Sequence, residues 1–265
     1  MVIDNLNPAD RDRSFTGLSR LYGNDAASRL CASFVAVIGV GGVGSWACEA
    51  LARSGVGRLL LIDPDSIAES NINRQLPALQ STIGCAKVDS IRARVADIQS
   101  TCQVDTIEEA LTVQNIQHFI PNTVDVVIDA IDAPRVKAAL IAYCQAQQIA
   151  VIVCGAAGGR DDPLALLACD LALTKGDALL SKTRARLRSE HGFTRTLNKK
   201  FKVTAICSSQ TPLASVNAQD ISDNADASGA PLNCAGYGSI VTVTAAMGMA
   251  AASRAMQHII TKKSQ

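Results

Sequence analysis

Gly39-Val40-Gly41-Gly42-Val43-Gly44 is the stretch with the clearest chemical consequence. Residues without Cβ atoms let a backbone turn tightly, admit a phosphate, and aim free N–H groups at it from the start of a helix. The apolar run Phe34 to Ile38 leads into it, and a helix-compatible segment from Ser45 to Arg53 follows. A second apolar run, Leu59 to Ile62, ends in Asp63, where a strand–turn–helix–strand unit places the acid that holds a ribose hydroxyl. The spacing predicts a nucleotide-binding unit; a glycine-rich turn with no ligand is the plain alternative.

A polar cluster follows at Asp65, Asn71, Asn73, Arg74 and Gln75, and Lys87 opens the next helix. An arginine and a lysine close behind a phosphate loop suit a triphosphate, because two cations stabilise charge building on the α-phosphate and on departing pyrophosphate. Further on, the apolar run Val124 to Ile128 ends at Asp129 and Asp132. In an open α/β sheet that carboxyl end is where ligands bind. Helix capping is the competing role for both aspartates.

The elements that must position these groups alternate in type. Val88, Ile91, Val95 and Ile98 make one face of a helix, Gln103 to Ile107 a short strand, and Val113 to Phe119 a short helix. A helix from Val136 to Gln148, preceded by Pro134, and a strand from Ile149 to Cys154 complete the rhythm. The fold expected is α/β: a Rossmann-type, mostly parallel sheet with helices on both faces and a C-terminal extension. It divides into a helical segment over 1–30, a nucleotide-binding core over 31–160 and an extension over 161–265, together one compact unit. From Asp161 the strand–helix rhythm is expected to stop, with a strand over Leu164 to Asp170 and a helix over Asp177 to His191.

At 265 residues and 48% hydrophobic content the chain has ample material for a core, and its formal net charge of +1 points to no class of partner. Charge is instead concentrated locally. Lys175 to Lys202 holds nine basic residues against two acidic ones, a local charge of +7 that leaves −6 for the remainder. Lys182/Arg186 and Arg184/Arg188 are like-charge pairs four apart, which weaken a helix unless something acidic neutralises them. Phosphates of a nucleic acid would do so, making Lys182, Arg184, Arg186, Arg188, Lys199 and Lys200 candidate contacts; a solvated basic helix is the alternative.

The nine cysteines include no CxxC pair and read as reduced thiols of a cytoplasmic protein. The N-terminal residues carry no apolar signal core. Asn217 to Pro231 reads as a mobile loop, and the uncharged stretch Ile240 to Ala252 is too short to span a bilayer. A buried or dimer-interface helix is expected there, with membrane association as the alternative.

Gly39-x-Gly41-Gly42-x-Gly44, Asp63, Asn71-x-x-Arg74-Gln75, Lys87 and Asp129-Ala-Ile-Asp132 together resemble the superfamily of ubiquitin-activating-like adenylating enzymes. The stretches Gly155 to Pro163, Asp170-Leu-Ala, Lys182 to Gly192 and Asn233 to Ser239 are similar to one branch, the tRNA threonylcarbamoyladenosine dehydratases. The resemblance covers about residues 13 to 258. It implies ATP as co-substrate, cradled by Gly39, Gly41, Gly42 and Gly44, with Asp63 on the ribose and Asp65, Asn71, Gln75 and Asp129 nearby. Arg74 and Lys87 would meet the phosphates, and Asp132 the catalytic magnesium. The reaction implied is adenylation of the threonyl carboxylate, then closure of the carbamoyl group onto it with loss of water.

The resemblance further implies tRNA as partner and a homodimer, and it admits a monovalent cation and a sulfur-transfer protein. Zinc is not expected, since the CxxC pairs that hold it in related enzymes are missing. Relatives reach into a partner's site with an arginine; here Gly17 aligns with it, flanked by Arg13 and Arg20. Cys234 is the leading candidate for a reactive thiol, with Cys207 behind it and burial as the alternative for both. An acid is expected where this chain has Gln210. Two other readings stay open: an adenylating enzyme for the C-terminus of a sulfur-carrier protein, and an NAD-binding dehydrogenase or sensor.

Overall fold

In the computed structural model, residues 8–196, 199–213 and 237–262 are described, with side chains from residue 13 onward. Helices α1 (Pro8–Tyr22) and α2 (Asn24–Ala32) precede β1 (Phe34–Ile38), whose five residues are all buried. Then come α3 (Gly44–Arg53), β2 (Arg58–Ile62), α4 (Lys87–Ile98), β3 (Gln103–Ile107), α5 (Ile116–Phe119), β4 (Val126–Asp129), α6 (Pro134–Ala146) and β5 (Ala150–Cys154). The chain continues with β6 (Leu166–Asp170), α7 (Ala178–Glu190), β7 (Thr204–Ser208) and α8 (Val241–Thr261).

One seven-stranded sheet runs in the order β3-β2-β1-β4-β5-β7-β6, parallel throughout except for β6, which pairs antiparallel with β7. The chain reverses its direction of growth between β1 and β4, and a crevice at such a switch point is where α/β sheets take ligands. Pleating divides the core. Ala36, Ile38, Leu60 and Val127 pack with α6 and α7, while Val35, Val37, Leu59 and Ile128 pack with α3, α4 and α8. Both faces are covered, which is why these strands are continuously apolar.

Four expectations need correction. The strand–helix rhythm does not stop at Asp161: Thr204–Ser208 is a further parallel strand beside β5, and the sheet crosses the 160/161 boundary. The helix expected from Val113 starts only at Ile116. Pro163–Ala165 forms a 3-10 turn before β6, with Asp162 Oδ1 accepting from Leu164 N at 2.8 Å. The final helix is longer than its apolar stretch, since Val243, Met247, Ala251, Ala255 and Ile259 form one buried stripe while Arg254 and Gln257 pair on the outside.

That stripe packs on α3, β4 and β5, so it is not available to a membrane. Among the described residues no helix is long and apolar enough to cross one. Gly248 is the crossing point: a Cβ there would strike the carbonyl oxygen of Val43 and lie 2.9 Å from Trp46 Cβ. Only a glycine lets α8 lie this close to the start of α3.

Candidate nucleotide-binding and catalytic site

The carboxyl ends of β1, β2 and β4 deliver Gly39, Asp63 and Asp129 to one edge. Gly39 has φ +82°, in the left-handed region, and its N–H donates to Ile62 O at 2.8 Å. The loop then folds back so tightly that a Cβ on Gly44 would overlap the Gly39 carbonyl. No side chain caps the start of α3, where Ser45 N donates to Gly41 O at 3.1 Å; an uncapped helix N-terminus suits an anion.

Asp63 is 5% exposed and holds this loop in place: Oδ2 accepts from Val40 N at 2.7 Å and Oδ1 from Asp65 N at 3.0 Å. Burial raises its carboxyl above the ordinary value, with nearby Lys87 and the two backbone donors acting in the opposite direction. Lys87, the first residue of α4, is itself buried. Its Nζ donates to Asp65 Oδ2 at 2.6 Å and lies 3.8 Å from Asp63 Oδ1. Asp65 is 62% exposed in its side chain, so one partner of this pair faces solvent.

The turn Glu69–Asn71 sets up the arginine. Asn71 is buried and its Oδ1 accepts from Ala68 N at 3.2 Å, while its carbonyl accepts from Arg74 N and Gln75 N at 3.1 and 2.9 Å. Asn71 therefore shapes the turn that presents Arg74. The Arg74 guanidinium is half-exposed and donates to Ser70 O at 2.7 Å and Asn73 Oδ1 at 2.9 Å. Gln75 is buried against Gly41, and its Oε1 has no hydrogen-bond partner among the described residues.

Asp129 is engaged inside the protein rather than open at the edge. It is fully buried, Lys137 Nζ donates to its Oδ1 at 2.7 Å and to its carbonyl at 3.1 Å, and Ile131 N donates to Oδ1 at 3.2 Å. Burial raises its carboxyl, offset in part by Lys137. Nor does it cap a helix, since α6 begins after Ala133. What Asp129 does is fold the turn that carries Asp132 to the edge. Asp132 is half-buried and makes no hydrogen bond or ion pair among the described residues.

A second network, missed in the sequence, ties the ends of β5 and β7. Arg160 is 3% exposed; its guanidinium donates to the carbonyls of Ala156, Gly176 (3.1 Å) and Gln210 (3.4 Å) and lies 3.8 Å from Asp177 Oδ2. Asp177 caps α7 through Leu180 N at 2.9 Å and accepts from Ala156 N at 2.9 Å. Gln210, where an acid was expected, accepts from Asp161 N and Asp162 N, both at 3.2 Å, and donates from Nε2 to Asp161 Oδ1 at 2.7 Å. A carboxylate would take the two N–H bonds but repel Asp161. The only signal in the sequence was the departure at Gln210 itself.

The basic run divides. Arg184 donates to Thr174 Oγ1, and burial lowers its pKa; Arg188 donates to Thr194 O at 3.3 Å and lies 5.3 Å over the Phe201 ring; Arg186 is paired with Glu190 at 2.6 Å. Only Arg186 thus meets an acid; Arg184 and Arg188 are held by neutral groups, and Arg188 still bears on Arg184 as a like charge. Lys182, Lys199 and Lys200 remain exposed. Asp170, ending β6, accepts from Phe201 N and Lys202 N at 2.9 and 2.8 Å, so Lys199 and Lys200 lie near the amino end of β7, opposite the glycine loop.

Cys207 is not a reactive thiol: it is 1% exposed, and burial, then Cys169, pushes it up to about 12. Cys234 and the loop Asn217 to Pro231 lie outside the described residues. Arg13 and Arg20 are exposed on α1. Among the described residues no three Cys, His, Asp or Glu side chains come together to hold a metal.

Residues 13–265 match the model of the ThiF family. The chain is 41% identical over 254 residues to the tRNA threonylcarbamoyladenosine dehydratase of Haemophilus influenzae, covering 96% of this chain and 95% of that protein. It superposes on a crystal structure of the Escherichia coli tRNA N6-threonylcarbamoyladenosine dehydratase in complex with ATP with a TM-score of 0.86, at 35% identity, covering 97% of this chain and 98% of that one. To the molybdopterin-synthase adenylyltransferase of Haemophilus influenzae it is 31% identical over 128 residues, 48% of this chain and 52% of that protein.

Proposed function

The chain belongs to the ThiF family, and from that premise we propose that it is an ATP-dependent dehydratase that cyclises N6-threonylcarbamoyladenosine beside the tRNA anticodon. The observation that carries this reading is the reach of the likeness. Similarity to the dehydratase runs through both halves of the chain, including the part after residue 160, whereas similarity to the carrier-protein adenylyltransferase spans about half.

ATP lies along the glycine loop, its ribose on Asp63 and its phosphates over the first turn of α3. Asp63 then takes a hydroxyl as a further donor beside Val40 N and Asp65 N. Arg74 and Lys87 stabilise the charge that gathers on the α-phosphate and on leaving pyrophosphate. Lys87 does so by exchanging the exposed Asp65 carboxylate for a phosphate oxygen.

Asp132, with no hydrogen bond or ion pair among the described residues, would offer a carboxylate oxygen to a magnesium ion, which would supply positive charge beside the phosphates. No residue is assigned to a monovalent cation. A threonyl carboxylate oxygen attacks the α-phosphorus and pyrophosphate departs. The carbamoyl group, losing a proton, closes onto the activated carbonyl, and AMP leaves with the carboxylate oxygen, so that the nucleoside has lost one water. Closure is intramolecular, and what the protein must supply is position.

The exposed Lys182, Lys199 and Lys200 meet tRNA phosphates. With β7 about 17 Å long at ~3.3 Å per residue, the tRNA lies along the sheet, its modified loop at the carboxyl edge. The protein works in the cytoplasm as a homodimer, which would cover the exposed Leu164, Leu167, Ile240, Val241 and Met249 around β6 and the start of α8. The test is AMP formation from ATP with magnesium, using threonylcarbamoyl-modified tRNA, unmodified tRNA and no tRNA. AMP with the modified tRNA alone, and a nucleoside lighter by one water, is expected; exchange stimulated only by a small carrier protein would overturn the reading.

A further inference from the structure

We propose that Trp46, the single tryptophan of the chain, is a positioning residue that sets where Arg74 stands over the glycine loop; the inference rests on the role given to Arg74 above. Among the described residues the guanidinium of Arg74 bonds only within its own turn, to Ser70 O and Asn73 Oδ1. Its height above the loop must therefore be set through its backbone. That backbone is held by the indole: Trp46 Nε1 donates to Arg74 O at 3.0 Å.

The surroundings reinforce this bond. Thr244 Oγ1, on α8, is 3.3 Å from the same carbonyl and shares its proton with Val241 O, also at 3.3 Å. A Cβ on Gly42 would lie 3.4 Å from Thr244 Cγ2 and 3.5 Å from Arg74 Cγ, so the stem of the arginine is packed against the loop. Next door, Ser45 Oγ donates to Gly41 O at 2.6 Å and accepts from Leu76 N at 3.2 Å. Behind, α8 crosses so close at Gly248 that a Cβ there would lie 2.9 Å from Trp46 Cβ. Trp46 lies in the first turn of α3, directly after the glycine loop, so the bond ties the turn of Arg74 to the helix that the loop opens.

A half-buried indole N–H that merely finds a partner is the bland alternative. A double-mutant cycle separates the two, because residues acting as one unit are non-additive. ATP affinity is measured by calorimetry on the full chain for wild type, Trp46→Phe, Arg74→Ala and the double variant, with AMP turnover on threonylcarbamoyl-tRNA measured in parallel. Expected is ATP binding about tenfold weaker in Trp46→Phe, a larger loss in Arg74→Ala, and no further loss in the double variant. Wild-type affinity in Trp46→Phe, or its full loss repeated on the Arg74→Ala background, would overturn the proposal. Should Trp46→Phe fail to fold, Thr244→Val runs the same cycle with a loss of about threefold. A wild type that binds ATP but forms no AMP with modified tRNA sinks the dehydratase reading while the affinity cycle still reports on Trp46.

Discussion

Asp63 with Lys87 and Asp129 with Lys137 share one plan: an aspartate at the carboxyl end of a strand, and a lysine in the first turn of a following helix. They differ in access to water. Lys137 and Asp129 are both 0% exposed in their side chains and, among the described residues, bond only to each other and to backbone, with Asp129 Oδ2 left without a partner. Lys87 is shared between buried Asp63 and Asp65, the latter 62% exposed. A sealed pair cannot exchange partners without stranding a charge, whereas a pair with one wet member can. The same chemistry thus builds a turn in one place and leaves a movable cation in the other.

The largest effect expected is on the sealed side. Lys137→Met strands Asp129 and should cost about 3–5 kcal/mol, read as an earlier urea midpoint; a midpoint unchanged from wild type would break the contrast. On the open side, Lys87→Met should lower tRNA-dependent AMP formation about a hundredfold or more while stability falls less than in Lys137→Met, because Asp63 keeps its two backbone donors and Asp65 faces solvent. If it unfolds as readily as Lys137→Met, the two pairs are alike after all.

The smallest effect, and the sharpest, is in pH. Burial raises the Asp63 carboxyl above its ordinary ~3.9, and the ionised form is the one that holds the ribose. Activity at limiting ATP should fall as pH drops through that raised value, higher than for a free aspartate. Asp63→Asn should lose this limb. The stability sign is opposite: a raised carboxyl favours the protonated folded state, a contribution present below the ordinary value and lost as pH rises through the raised one. Asp129, raised by the same cause, adds to the stability trend but not to the rate limb.

Much of the nucleotide side was legible in the sequence, because glycine spacing and a strand-end acid are local patterns. The limits of β3 and the start of α4 followed from local periodicity in the same way. The pairing of Asp129 with Lys137 was not legible, because nothing in their spacing says that the lysine turns inward. Thr204–Ser208 escaped notice because a run of lysines up to Lys202 masks a short strand buried only by tertiary contacts. That Arg184 and Arg188 have partners within the protein was not legible, since Thr174 and Phe201 come from separate segments. Charge is visible in a sequence; its neutralisation is not.

The crossing of α8 over α3 at Gly248 also fixes an order in time. Trp46 and Gly248 are about two hundred positions apart, so this contact forms only after most of the chain exists. On a ribosome, the early strands and α3 emerge long before Val241–Thr261 does. The nascent protein therefore holds its glycine loop and α3 before α8 exists to pack against them.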